Sequence, residues 1–250
     1  MSAEHAQPVE TLWRSLAGES LDAERIARLH RYLDLLEAGN QRFNLTRIID
    51  RAHAEREHIA DALTLLPLLP AGSGRIADIG SGGGVPALVI AIARPDLEVV
   101  CLESTGKKSR FLTETIAALS LGNARVISTR VELHGRAEGR ERYHAVTARA
   151  VAELSWLGEW SMPLVGRGGR LLAMKGPKHV DELPAMRARR SILGAGEPVV
   201  HAVPVRQEND TIDETIRTHF AGRVIVEIPR VGSISDKLPR DPANAKGKPL

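Results

Sequence analysis

Cysteine is nearly absent from this chain of 250 residues: Cys101 stands alone, which excludes an internal disulfide. It lies in an apolar, strand-like run, where packing is expected rather than nucleophilic catalysis. No group of Cys and His has metal-ligand spacing, so no metal and no structural zinc are expected. His53 and His58 miss the i, i+4 spacing of a zinc helix motif, and His58 reads as a helix residue facing the domain. Aromatic residues make up only 3%, too few for an extended base-stacking platform, so base recognition must rest on one or two side chains. No apolar run approaches the length of a membrane span, and the first twenty residues lack a signal-type apolar core. A cytoplasmic location follows as the default. The formal charge of +3 suits a nucleic-acid partner without demanding one. Gly106-Lys107-Lys108-Ser109 is not a phosphate loop, because that motif needs glycine at position 101 and Ser or Thr at position 108.

What the chain does have is a glycine turn in an informative setting. The run Ile76-Ala77-Asp78-Ile79 leads into Gly80-Ser81-Gly82-Gly83-Gly84-Val85-Pro86, and Pro86 opens an apolar helix from Ala87 to Ala93. A second apolar run, Val99-Val100-Cys101-Leu102, ends at Glu103. Strand, glycine turn, helix, strand and acid form a βαβ nucleotide-binding unit, in which the terminal acid holds a ribose diol. Two details disfavour a dinucleotide. Val85 occupies the position that needs a small residue, and Asp78 sets negative charge where a pyrophosphate would sit. A ligand carrying an ammonium and a sulfonium would be attracted instead, which points to S-adenosyl-L-methionine and a methyltransferase.

Alternating segments then predict a parallel sheet with helices between the strands. Strands are expected at about 75–79, 98–103, 124–128, 144–149 and 170–175, with two more at about 197–205 and 223–228. The expected fold class is α/β: a Rossmann-like methyltransferase with a seven-stranded, mostly parallel sheet. Residues 1–70 read as an N-terminal helical extension packed on the main domain. Within it, residues 1–19 form a loose tail with a short helix near Val9 to Leu16. A helix follows from Ser20 as N-cap to Gly39-Asn40, and another from Ala52 to Leu66, stopped by Pro67. Residues 71–228 form the methyltransferase domain, with helices at Gly106 to Leu121 and Ala152 to Val165, and a helix or linker from Lys178 to Gly196. Residues 229–250 read as a mobile, basic tail.

The chain resembles the RsmG (GidB) family of bacterial small-subunit ribosomal RNA guanine-N7 methyltransferases. The likeness is carried in order by Asn44-Leu45-Thr46, Glu57-His58-Ile59-Ala60-Asp61-Ala62, the glycine turn and Glu103-Ser104. It continues through Lys107, Lys108, Arg110-Phe111-Leu112, Arg130-Val131-Glu132, Arg149-Ala150 and Ala173-Met174-Lys175-Gly176. The resemblance implies that Gly80 and Val85 line the S-adenosylmethionine pocket, that Val131 and Glu132 contact adenine, and that Glu103 takes the ribose. It also implies a contact from Arg149, and 16S ribosomal RNA, in the 30S subunit or its precursor, as partner. Ala87 and Ala148 depart from the residues usual to the family, and the C-terminal stretch after Gly232 looks altered and extended. The cofactor-binding set is thus Asp78, Gly80, Gly82, Val85, Glu103, Val131, Glu132 and Arg149.

Guanine N7 offers a lone pair and has no proton to lose, so the reaction needs alignment and no general base. The chain has Ala148-Arg149-Ala150-Val151 after strand four, where an enzyme acting on exocyclic amines would carry an Asn/Asp-Pro-Pro-aromatic cluster. Arg149 is the expected positioning residue. Its structural alternative is an ion pair with an acid such as Glu153. Lys107, Arg130 and Lys175 are candidate RNA-phosphate contacts. Trp156 and Trp160, four apart, read as one hydrophobic helix face. Two other functions stay open on sequence alone: a small-molecule methyltransferase, and a non-catalytic nucleotide-binding ribosome-assembly factor.

Overall fold

The structure, a computed structural model, describes residues 9–203, 218, 220–241 and 250. Seven strands are formed: Gly74–Ile79 (β1), Leu97–Leu102 (β2), Ala124–Ile127 (β3), Tyr143–Arg149 (β4), Val165–Lys175 (β5), Val199–Ala202 (β6) and Val224–Pro229 (β7). They make one sheet in the order β3-β2-β1-β4-β5-β7-β6. β1 to β5 are parallel, and β7 runs antiparallel to both β5 and β6. This is the expected mostly parallel, seven-stranded Rossmann-like sheet. β5 starts earlier than predicted because its pairing with β4 shifts between Tyr143↔Val165 and Ala145↔Arg170. Gly166, Gly168 and Gly169 lie in that irregular stretch, so its sequence reads as a loop.

The central strands are apolar on both sides because both sheet faces are covered. Ile76, Val99, Ala145 and Leu172 face one core, shared with helices Val9–Ala17 (α1), Ala23–Phe43 (α2), Ala87–Ala93 and Gly106–Ala118. Ala77, Val100, Val146 and Leu171 face the other, shared with Leu154–Ser161 and His179–Arg189. The helices at Arg51–Ala54, Ala87–Ala93, Gly106–Ala118, Val131–Arg136, Leu154–Ser161 and His179–Arg189 are here α3, α5, α6, α7, α8 and α9, with the short Asp61–Leu63 as α4.

Three expectations for the helices need correction. The N-cap of α2 is Asp22, whose Oδ1 accepts from Arg25 N at 2.8 Å, while the Ser20 hydroxyl donates back to Ala17 O at 2.6 Å. Gly39-Asn40 does not end α2, which runs to Phe43 and stops at Asn44 with φ 52°. The glycine is there because α2 crosses α6: a Cβ on Gly39 would lie 2.4 Å from the Phe111 ring. The predicted helix from Ala52 to Leu66 is three successive pieces, α3, a π-helical run over Glu55–Ala60, and α4. Pro67 sits inside the short turn Leu66–Leu68, at a position whose N–H no helical bond needs.

The chain after Pro229, expected as a loose tail, is tied down as far as Asp241. Arg230 is buried, donates to Val165 O and pairs with Glu141 at 2.8 Å. Leu238 is buried, its carbonyl accepts from Arg140 at 2.6 Å, and Arg240 grips Glu159. Residues 1–8 and 242–249 of the predicted tails lie outside the described residues. Among the described residues no helix is long and apolar enough to cross a membrane, and no three His, Cys, Asp or Glu side chains gather as a metal site.

β1 lies between β2 and β4: the chain runs outward from β1 to β2 and β3, then crosses back to β4 on the other side of β1. Such a switch point opens a crevice at the carboxyl ends of the strands, where open α/β sheets bind ligands.

Candidate functional site

The crevice begins at the glycine turn. The N–H groups of Gly80 and Ser81 bond to Leu102 O at 2.8 and 3.3 Å, folding the turn over β2. Gly80 has φ 66°, and a Cβ there would sit 3.0 Å from Val151 Cγ2. Gly84, at φ 100°, would drive a Cβ to 2.7 Å from Leu88. Both positions therefore require glycine. Glu103 is buried and holds the turn: its Oε2 accepts from Gly82 N at 2.9 Å and its Oε1 from Thr105 N at 2.8 Å. An ionised carboxylate has about four acceptor directions, so two stay free for a ligand.

The N-terminal helices clamp this turn from above. The Tyr32 hydroxyl on α2 donates to Gly83 O at 2.8 Å, and Leu36 and Leu45 pack where a Gly83 side chain would stand. Burial pushes the Tyr32 phenol far above its ordinary pKa, so it stays a donor. Val85 is half-buried against the same apolar cluster.

Asp78 sits beneath the turn, 1% exposed. Its Oδ1 accepts from the Thr147 hydroxyl at 2.7 Å, while Oδ2 is buried without a hydrogen-bond partner. Burial pushes its pKa up to about 7, against the Thr147 and Ser81 hydroxyls and the nearby Arg149. Cys101, paired with Asp78 in the β1–β2 register, is buried, and desolvation holds its thiol protonated.

Arg149 ends β4 and leans toward the N-terminal helices. Its Nε lies 3.4 Å from Asp61 Oδ2, and its Nη1 is buried without a hydrogen-bond partner. The partner acid is thus Asp61 and not Glu153, which is exposed at the start of α8. Asp61 Oδ1 also meets Arg223 Nη1 at 3.1 Å, and Arg223 Nη2 bonds both oxygens of Glu57 at 2.6 and 2.7 Å. Glu57, Asp61, Arg223 and Arg149 therefore form one charged chain from the π-helical run and α4, through the residue that precedes β7, to the end of β4. His58, beside it, meets Thr46 Oγ1 at 3.1 Å, and burial followed by Arg149 lowers its pKa to about 4, leaving it neutral at pH 7. After Arg149, Ala150 takes φ 53°, a strained backbone for a residue with a Cβ, and the next residue, Val151, lies over Gly80.

Two hollows meet at Val151. One, of about 170 Å³, is lined by Gly80, Ser104, Thr129, Val131, Glu132 and Trp160 among others. The other is a cleft of about 550 Å³ bounded by Asp61, Arg149, Met174, Lys175, Glu182 and Arg223 among others. Glu132 is buried and bound by Arg130 at 2.9 Å, so Arg130, though exposed, already has an acid. Lys175 donates to Ala152 O at 2.7 Å and to Glu182 at 2.6 Å, at the wall of the cleft. Lys107 is exposed in the first turn of α6.

Sequence reasoning missed several of these residues. Trp156 and Trp160 do not form a core face. The core side of α8 is Leu154, Leu157 and Gly158, whose lack of a side chain lets Met186 approach, and both tryptophans are only half-buried on the other side. Asp61 carried a signal, since Glu57 and Asp61 are four apart and belong to a motif of the resemblance. Arg223 carried none, because only the antiparallel return of β7 brings it to the cleft.

Comparison with known proteins agrees with this fold. A putative transferase from Pyrococcus horikoshii superposes with a TM-score of 0.51 over 75% of this chain and 66% of its own, at 12% identity, which speaks to the fold alone. A ribosomal RNA small subunit methyltransferase G of Chloroflexus aggregans is 46% identical over 73% of this chain and 79% of its own. That of Pelotomaculum thermopropionicum is 34% identical over 93% of this chain and 94% of its own. The sequence profile described as rRNA small subunit methyltransferase G (GidB) matches residues 25–210, which include most of α2, the glycine turn and Arg149, and this chain belongs to that family.

Proposed function

We propose that this protein transfers a methyl group from S-adenosyl-L-methionine to N7 of a guanine in 16S ribosomal RNA of the small subunit, working in the cytoplasm. One observation carries the reading: two hollows at the switch point share Val151 as their partition, one above the glycine turn and one beside Arg149. The residues present suit the cofactor. Asp78 Oδ2 is an unmet acceptor for an ammonium, Arg149 Nη1 an unmet donor for a carboxylate, and Glu103 has acceptor directions left for a ribose diol. Gly80 keeps open a space that a Cβ would narrow.

Bound there, S-adenosylmethionine supplies an electrophilic methyl group. The protein's part is alignment. Asp61 orients Arg149, the strained Ala150 sets Val151 at the partition, and the cleft behind it receives the base. N7 brings its own lone pair, so no side chain has to remove a proton. In A-form RNA the groove that displays N7 is too narrow for side chains, so the target guanine is unstacked or in a loop. Exposed Lys107, and Arg130 with the part of its guanidinium that Glu132 does not take, are suited to phosphates nearby.

The test is to incubate small subunits with protein and methyl-labelled cofactor, then digest the RNA and identify the labelled nucleoside by mass spectrometry. The expected product is 7-methylguanosine. Label in any other nucleoside, or none in RNA while the cofactor binds, would refute the reading in favour of another substrate or a non-catalytic role.

A further inference from the structure

We propose that Trp160 is the outer wall of the base end of the cofactor hollow, and that the C-terminal segment holds it there through Glu159 and Trp156. The proposal rests on the functional reading above. In a chain with few aromatics, Trp160 lines the same hollow as Val131, Glu132 and Leu102. The core side of α8 is filled by Leu154 and Leu157, so packing of that core does not account for an indole on the opposite side. An indole beside an apolar floor of Ile79, Leu102 and Val131 is suited to stacking on a purine, whose face any aromatic ring can cover.

The ring is braced from behind. Trp156 lies one turn earlier, its ring centroid 5.2 Å from that of Trp160 and tilted by 31°. The Arg240 guanidinium stands 6.0 Å over the Trp156 ring. Its Nε and Nη2 bond the two oxygens of Glu159 at 2.7 Å each, and the Glu159 side chain is 1% exposed. A bidentate pair on a buried acid fixes direction as well as contact. The far C-terminal segment is thereby linked to the cofactor hollow across one face of α8.

The experiment titrates the full-length protein with S-adenosylmethionine, reading heat and tryptophan emission on the same samples. Trp13 is fully buried in the N-terminal core, away from the hollow, so an emission change on binding comes from α8. The parent is expected to bind with a change in emission that follows the heat. Trp160→Ala should lose that change and bind about tenfold more weakly. Trp160→Phe, which keeps a ring for stacking, should recover part of the affinity without the emission change. Arg240→Ala should weaken binding several-fold and leave Trp160 more open to acrylamide quenching at temperatures far below unfolding, and Arg240→Lys should restore part of both. Heat of binding with the emission change intact in Trp160→Phe, or with affinity unchanged in both Trp160 variants, would overturn the wall. Unchanged affinity and quenching in Arg240→Ala would overturn the bracing. Absence of any binding heat in the parent would instead remove the functional reading, and the wall with it.

Discussion

Asp78 is the residue at which burial and function oppose each other most directly. With its pKa raised to about 7, the folded protein retains a proton between roughly pH 4 and 7 that the unfolded chain releases. The sign follows: the stability of the free protein falls as pH rises through that window and is flat above it. Asp78→Asn should therefore stabilise the free protein by on the order of 4 kcal/mol at pH 8, with the gain vanishing near pH 4. Denaturant titrations at several pH values would show it. A cationic ligand beside Asp78 favours the ionised form, so cofactor binding should strengthen from pH 6 to 8 and release a proton, read by calorimetry in buffers of different ionisation enthalpy. At Arg149, a lysine keeps a charge for Asp61 but loses the Nη1 donor. Arg149→Lys should reduce methyl transfer to small subunits at least tenfold, while circular dichroism shows a native fold.

Among the secondary-structure elements, α2 shows best how a local signal misleads. Gly39-Asn40 looks like a helix end, yet the glycine serves a crossing: α2 passes the Phe111 ring of α6, where a Cβ would lie at 2.4 Å. Gly39→Ala would gain about 1 kcal/mol in helix propensity, and displacing a buried ring costs about 1–3 kcal/mol. The variant is expected to be less stable than the parent, measured by its denaturation midpoint. The same element carries Tyr32 to the glycine turn, so the fit of α2 against α6 also sets where the turn is held. The π-helical run between α3 and α4 matters in a related way. It lies in the stretch that presents Glu57 and Asp61 to Arg223, and π-helical turns shift the faces of the residues that follow them.

For the molecule as a whole, the C-terminal segment is a structural part of the fold up to Asp241. Deleting residues 230–250 would remove Arg230 from Glu141 and Arg240 from Glu159, leaving the buried Glu159 without this guanidinium. Breaking a buried pair costs about 3–5 kcal/mol, which at this chain length is a fall in melting temperature of roughly 6–20 °C. A thermal melt followed by circular dichroism checks it, and the loss should be the same with and without RNA.

Much of this architecture is legible in the residues. The glycine turn with Asp78 and Glu103 at successive strand ends, the alternation of strands and helices, and α5 from Ala87 to Ala93 need only local patterns. These features are local because periodicity, turn chemistry and burial of short apolar runs act over a few residues. The motif around Glu57 and Asp61 was visible as a resemblance, but its partners were not. Asp61 meets both Arg149 and Arg223 only because the N-terminal helices fold back over the sheet and β7 returns antiparallel beside β5. Trp160 reaches the hollow because α8 packs Leu154, Leu157 and Gly158 inward and leaves the indole on its other side. Contacts between residues far apart in the chain depend on how faces pack, and a one-dimensional pattern records which face is apolar but not what it will meet.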